Sequence, residues 1–212
     1  MAQKTELLLP ILRGQNVIPV LVIEKLSDAV PLARALVDGG LKALEITLRT
    51  PVALDAIQAI SEDVPNAIVG AGTILNGEHF EAAETAGAKF IVSPGLTGEL
   101  IDVAEESEIP LLPGAITPSE LMGALEEGYE YLKFFPAEAA GGINFVKSLA
   151  SPFANIKFCP TGGITQQTAK QWLDLSNVVC IGGSWLAPKN LVQSHQWEAI
   201  TALAQQATQL TA

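Results

Sequence analysis

Lys133 sits in the run Tyr131-Leu132-Lys133-Phe134-Phe135-Pro136, whose apolar neighbours predict a buried strand. Lysine is among the residues least often buried, because its ammonium loses hydration there. Burial favours the neutral amine, and a neutral amine is a nucleophile toward ketones. On that run alone, the simpler reading is a strand-end lysine whose charge snorkels to water. A second segment changes the balance. In Ala43-Leu44-Glu45-Ile46-Thr47-Leu48-Arg49, polar and apolar residues alternate. A strand there carries Glu45, Thr47 and Arg49 on one face and Leu44, Ile46 and Leu48 on the other. An inward Glu45 facing Lys133 is either a buried ion pair without chemistry or an amine with a proton shuttle beside it. Buried pairs add little stability, so structure alone is a thin reason for one. A Schiff-base reaction needs both groups. The amine attacks a ketone, and a carboxylate moves protons during carbinolamine dehydration and carbon–carbon cleavage. Arg49 supplies a planar fork matched to a substrate carboxylate, and the Thr73 hydroxyl completes that grip.

A different chemistry is written near the C-terminus, in Thr161-Gly162-Gly163-Ile164-Thr165 and Gly182-Gly183-Ser184-Trp185. Paired glycines expose backbone N–H groups and let a phosphate approach closely. Glycine pairs also form ordinary turns, so the signal lies in two pairs at matching places, each beside a hydroxyl residue. Other candidates are discounted. His79 and His195 lie away from strand ends, so no histidine-based metal site is expected. Glu138, after the sixth strand, offers a second acid/base, but the simpler reading is a solvated loop carboxylate, and Trp172, Trp185 and Trp197 read as packing residues.

These groups need a frame. Short β-branched runs at 17–23, 43–49, 67–73, 90–95, 109–115, 131–137, 157–163 and 178–184 predict strands, with amphipathic stretches at 27–37, 52–60, 97–106 and 118–127 among the helices between them. Gly39-Gly40, Gly87 and Gly128 stand where helices should end. Thr117 and Glu120 have capping-box spacing behind Pro118. Eight strand–helix units without a linker predict a (β/α)8 TIM barrel with a short N-terminal helix, as one domain over 1–212. The runner-up is an open doubly wound sheet, but its glycine-rich turn is missing after the first strand, where Glu24-Lys25-Leu26 stands, and Gly70-Ala71-Gly72 matches it weakly. In a barrel the catalytic groups come from the C-terminal strand ends, and loops after strands seven and eight hold phosphate.

Composition bounds the rest. The 212 residues are 49% hydrophobic and 17% charged, which suits a globule and argues against disorder. No apolar stretch approaches the roughly 18 residues of a membrane span. The N-terminus lacks a small-residue cleavage site and reads as a leading helix rather than a signal peptide. A net charge of −11 disfavours nucleic acid and anionic membrane as partners. It also repels anionic substrates unless the site is locally positive, which makes Arg49, one of three arginines, informative. Cys159 and Cys180 lie in apolar runs and read as buried free thiols, as in a cytoplasmic protein.

Taken together, Glu45-Ile-Thr-Leu-Arg49, Val-Gly-Ala-Gly-Thr73, Ser93-Pro94-Gly95, Lys133-Phe-Phe-Pro-Ala-Glu138, Cys-Pro-Thr161-Gly-Gly and Ile-Gly-Gly-Ser184-Trp resemble the 2-keto-3-deoxy-6-phosphogluconate (KDPG) / 4-hydroxy-2-oxoglutarate (KHG) aldolases. Six motifs in order make the resemblance specific. It implies a class I aldolase that splits KDPG into pyruvate and glyceraldehyde 3-phosphate, as in the Entner–Doudoroff pathway, and also KHG into pyruvate and glyoxylate. It implies no metal or other cofactor, and a homotrimer. Lys133 would form the Schiff base and Glu45 would be the acid/base. Arg49, Thr73, Pro94, Phe135, Thr161, Gly162, Gly163, Gly183 and Ser184 would bind substrate, with Gly162, Gly163 and Ser184 on the phosphate. Two positions depart from the pattern. Ala115-Ile116 stands where a small hydroxyl residue is expected, and Ala140 where a polar residue is common. Both bear on the choice between phosphorylated and unphosphorylated substrates. The competing readings are an aldolase for the galactonate epimer and a non-catalytic sugar-phosphate binding barrel.

Overall fold

The structure, a computed structural model, describes residues 3–210. Among them the alternating pattern becomes eight strands and ten helices. In chain order these are α1 (Thr5–Arg13), β1 (Val17–Leu21), α2 (Leu26–Asp38), β2 (Ala43–Thr47), α3 (Ala53–Asp63), β3 (Ile68–Gly72), α4 (Gly77–Thr85), β4 (Phe90–Val92) and α5 (Gly98–Glu106). There follow β5 (Leu111–Leu112), α6 (Pro118–Glu126), β6 (Tyr131–Phe134), α7 (Gly142–Leu149), β7 (Lys157–Pro160), α8 (Gln166–Leu173), β8 (Ile181–Gly183), α9 (Lys189–Gln193) and α10 (Trp197–Thr208).

Every ladder is parallel. Six strands run in the order β5-β4-β3-β2-β1-β8, and β6 pairs with β7. Single parallel bridges lie between the two ladders, Gly114 with Lys133 on one side, and Phe158 with Val178 and Thr161 with Gly182 on the other. Right-handed crossovers between strands in consecutive order put their helices on one face. A doubly wound sheet reverses its strand order and carries helices on both faces. The observed order is therefore that of a curled sheet, and the doubly wound alternative is excluded.

Two cores follow from this curl. Leu44, Ile46, Val69, Ile91, Leu132 and Phe158 face the helices, where they meet Leu32, Ile57, Phe80 and Trp172. On the other face, Ile18, Ala43, Phe90, Val92, Leu112, Cys159 and Cys180 form a second cluster with Leu8, Ile11 and Leu12 of α1. The leading helix thus covers the start of the strands. Full burial of Leu8 and Leu12 contributes about 1.5–3 kcal/mol each, an upper bound. Gln3 fixes the approach to α1, because its amide donates to Tyr131 O at 2.7 Å and accepts from Glu130 N and Tyr131 N at 3.0 Å.

The expected stops hold. Gly40, Gly87 and Gly128 have φ of 96°, 97° and 80° after α2, α4 and α6, and Thr117 and Glu120 close the capping box of α6. Several strands are shorter than the sequence runs, because the ladders stop before the glycine- and proline-bearing ends, such as Ser93-Pro94-Gly95 after β4 and Thr161-Gly162-Gly163 after β7. The difference matters at β2, which ends at Thr47 rather than at 49. Arg49 N–H turns back to Thr47 O at 2.8 Å, so Arg49 leaves the strand and its alternation. It stands exposed at the mouth while Glu45 and Thr47 are buried.

Candidate active site

β2 and β6 carry the central pair. Glu45 shares a face with Ala43 two residues earlier, and Lys133 is in register with Cys159. Ala43 and Cys159 belong to the cluster on the helix-free side, so both ionisable side chains point inward. Lys133 Nζ donates to Glu45 Oε1 at 2.9 Å, and both side chains are 5% exposed. Lys133 does not snorkel. Its strand is held on one side by Lys133 N–H to Pro113 O at 2.8 Å and Ala115 N–H to Lys133 O at 3.0 Å. Removing one partner would leave an unpaired buried charge, at a cost of roughly 3–5 kcal/mol.

The carboxylate reaches this position because β3 presents glycine beside it. Thr47 is in register with Gly72, and a Cβ at Gly72 would stand 2.1 Å from Glu45 Oε1. Thr47 takes no part in the pair; its hydroxyl donates to Leu21 O at 2.9 Å. Above the pair, Arg49 Nε donates to Thr73 Oγ1 at 3.0 Å. Thr73 has φ of 61°, a left-handed conformation that costs a β-branched residue free energy and is found mainly at functional sites. The Phe135 ring lies between the two cations, 5.4 Å from Lys133 Nζ and 6.0 Å from Arg49 Cζ, within cation–π range.

The glycine pairs lie next to this centre. Thr161 N–H donates to Phe134 O at 2.9 Å, directly after Lys133. A Cβ on Gly162 would lie 3.2 Å from the Phe135 ring, and one on Gly163 2.7 Å from Glu138 Cγ. Both glycines have positive φ, 104° and 81°. Thr161 is buried, and its Oγ1 has no hydrogen-bond partner among the described residues. Gly182 packs against that hydroxyl and Gly183 against the Trp185 ring. Ser184 is exposed beyond them. Pro94 is also exposed; it borders a groove of about 490 Å³ with Gly114 and Ile116, and neither Lys133 nor Glu45 lines that groove. The structure therefore joins Lys133, Glu45, Phe135, Arg49 and Thr73 into one chain of contacts, with Thr161 to Gly163 beside it. Pro94 and Ser184 stand at its edges. No group of three or more His, Cys, Asp or Glu among the described residues is placed to hold a metal ion.

Residues 9–203 match the profile of the family described as KDPG and KHG aldolase. The chain belongs to that family. A KHG/KDPG aldolase of Escherichia coli K12 is 49% identical over 199 residues, covering 94% of this chain and 93% of the relative. Two solved structures of KDPG aldolases are similarly near. That of Legionella pneumophila, with pyruvate captured at low pH as a covalent carbinolamine intermediate, is 46% identical with a TM-score of 0.91 over 93% of this chain and 96% of its own. That of Zymomonas mobilis ZM4, with 3-phosphoglycerate, is 45% identical with a TM-score of 0.90 over 98% and 97%.

Within this KDPG and KHG aldolase fold, two features escaped the sequence. Gly72 was visible as a glycine, but its closeness to Glu45 appears only through the register of β2 and β3. In the sequence Glu138 and Trp172 are unrelated, a solvated carboxylate and a packing ring. Glu138 is exposed as expected, yet Trp172 Nε1 donates to its Oε1 at 3.0 Å. Nothing in the spacing of 138 and 172 signals that contact.

Proposed function

We propose that this protein is a class I aldolase that cleaves KDPG to pyruvate and glyceraldehyde 3-phosphate, and KHG to pyruvate and glyoxylate. The observation that carries the proposal is the buried Lys133–Glu45 pair, 2.9 Å apart, with its mouth guarded by Arg49 and Thr73. Family membership and the names of the near relatives support the same reaction. The second substrate is supported by the KHG/KDPG name of the Escherichia coli relative.

Lys133 passes a proton to Glu45 along their hydrogen bond, and the freed amine attacks the C2 ketone. Glu45 returns that proton to the carbinolamine hydroxyl, which leaves as water, and an iminium remains. The iminium nitrogen draws the electrons of the C3–C4 bond while Glu45 takes the proton of the C4 hydroxyl. The aldehyde leaves and an enamine remains. Glu45 protonates C3, and hydrolysis releases pyruvate and Lys133. Arg49 and Thr73 hold the substrate carboxylate, and Phe135 and Pro94 wall the keto-acid end. The unpartnered Thr161 hydroxyl faces a substrate oxygen, and Gly162, Gly163, Gly183 and Ser184 receive the phosphate.

The wider reading is a single domain over 1–212 whose strands close into a (β/α)8 barrel, supported by the bridges at Gly114 and Thr161. A homotrimer in the cytoplasm, serving the Entner–Doudoroff pathway, is supported by family resemblance, and the location also by two buried free thiols. The deciding experiment is borohydride reduction with pyruvate followed by peptide mass analysis. The expected result is one reduced adduct, on Lys133. Folded protein with no adduct on any lysine would remove the class I mechanism.

A further inference from the structure

We propose that Glu138 is a positioning residue for the phosphate end of the substrate, acting through the glycine loop after β7. This rests on the reading that Gly162 and Gly163 receive the phosphate. Glu138 holds three pieces of chain together. Its backbone N–H donates to Gly162 O at 3.1 Å, and the neighbouring Ala137 N–H donates to Thr161 O at 2.8 Å. Its Cβ and Cγ occupy the space where a side chain on Gly163 would stand, at 2.8 and 2.7 Å. Its Oε1 accepts from Trp172 Nε1 at 3.0 Å. Trp172 is fully buried and belongs to α8, which starts three residues after Gly163. The carboxylate therefore braces the loop against a rigid ring from the helix that the loop feeds.

The brace has a chemical purpose. Gly162 and Gly163 have positive φ, and their N–H groups make no hydrogen bond among the described residues. A phosphate fits there only if those donors hold still, because glycine imposes little order of its own. Glu138 carries negative charge beside the phosphate, which by itself opposes binding. Tying Oε1 to the indole keeps that charge on the α8 side of the loop. The distal carboxylate of KHG lies at C5, short of the phosphate on the C6 oxygen of KDPG, so KHG leaves Gly162 and Gly163 unused and Glu138 acts on the selection between the two substrate classes.

The test compares KM and kcat for KDPG and KHG in Glu138→Ala, Glu138→Gln and Trp172→Phe. Alanine removes the acceptor and glutamine keeps one, while both remove the charge, so their difference isolates the brace. Glu138→Ala and Trp172→Phe should raise KM for KDPG roughly fivefold to tenfold, as expected for one misplaced hydrogen bond to phosphate. KM for KHG should stay within about twofold, because its shorter chain stops before Gly162 and Gly163. Glu138→Gln should keep the KM for KDPG at or below the wild-type value. KM does not depend on the folded fraction, and Trp172→Phe decides the matter alone if Glu138→Ala fails to fold. Equal effects on both substrates, or none on KDPG, would overturn the brace. Ser184→Ala is the control for the underlying reading, because a Cβ on Gly162 would press the Phe135 ring at the keto-acid end. A selective KDPG defect there, without one in the other variants, removes only the role of Glu138. No selective defect in Ser184→Ala removes the phosphate site itself.

Discussion

Gly72→Ala adds one methyl group where the Glu45 carboxylate now lies. The new Cβ would stand 2.1 Å from Oε1 and 2.7 Å from Cδ and Cγ, against an ordinary contact that begins at 3.4 Å. β3 cannot yield, because Gly72 is bonded in register to Thr47 and Leu48 N–H donates to Gly72 O at 2.8 Å. The carboxylate must yield, and Oε1 has to retreat by about 1.3 Å. That retreat exceeds the slack in a 2.9 Å hydrogen bond to Lys133. A misplacement of about 1 Å at a reacting group costs on the order of 100-fold in rate, or about 2.7 kcal/mol in the barrier. Overpacking of this kind costs roughly 1–3 kcal/mol of stability, so the variant should fold with a Tm lowered by roughly 2–10 °C. The assay is steady-state release of pyruvate from KDPG, alongside borohydride trapping. kcat should fall about 100-fold, and the trapped adduct should still form on Lys133, only more slowly. Unchanged kcat in a folded variant would refute the claim that the position of the Glu45 carboxylate governs proton transfer.

Three further outcomes are expected. Arg49→Lys replaces a planar fork with a point charge and loses the Nε contact to Thr73; KM should rise about tenfold for KDPG and KHG alike, because both present the same 2-keto acid end, and a defect confined to one substrate would contradict the role. Burial, with Glu105 and Glu127 nearby, pushes the Tyr129 phenol up to about 12 from 10.0. The folded state therefore keeps its proton where the unfolded state loses it, so this stability is intact below pH 10 and about 2–3 kcal/mol of it is lost as pH rises to 12. Denaturant titrations at pH 9 and 11 should show about half of that loss, and Tyr129→Phe should abolish it while leaving neutral-pH stability unchanged or higher, because Tyr129 Oη has no hydrogen-bond partner among the described residues. Cys180 is fully buried against Cys159, which together with desolvation raises its thiol well above the ordinary range. Neither cysteine should react with a thiol reagent in the native protein, and both should react in denaturant; fast native labelling would show that the floor beneath Lys133 opens.

The sequence made the fold legible where alternation and stop signals agree. Leu44 and Ile46 face the helices while Glu45 and Thr47 face inward, as period two demands, and Thr117 caps α6 where Thr-x-x-Glu predicts it. Alternation loses its force where the ladder stops. Arg49 continues the written pattern, but the strand has ended two residues earlier, and strand ends depend on neighbouring strands that a linear pattern does not contain. The lysine was legible for a different reason. A charged residue amid Leu132, Phe134 and Phe135 conflicts with its surroundings, and such conflicts concentrate at functional sites. The Trp172–Glu138 contact carried no such conflict. A tryptophan in a core and a glutamate on a loop are each ordinary alone, and only the arrangement of β6, β7 and α8 makes them partners.

The glycines explain how a packed interior can hold polar chemistry at all. Side chains normally fill the inside of a curled sheet of this size, and here they do so near the strand starts, with Phe90, Val92, Leu112 and the thiols. Toward the strand ends the filling residues are withdrawn one by one. Gly72 makes room for the Glu45 carboxylate and Gly182 for the Thr161 hydroxyl, while Gly70, level with the start of β4, admits the Phe90 ring that fills the floor. Each inward glycine is matched to one polar or aromatic neighbour on an adjacent strand, so space is opened selectively rather than left empty. The result is a site whose ionisable pair rests on an apolar floor and meets substrate from above. Enlarging any one of these glycines should therefore damage its own neighbour first. Gly182→Ala, whose Cβ would stand 2.2 Å from Thr161 Oγ1, should impair substrate binding while Lys133 still forms its adduct with pyruvate. Loss of adduct formation in Gly182→Ala would mean that the interior yields as one body rather than neighbour by neighbour.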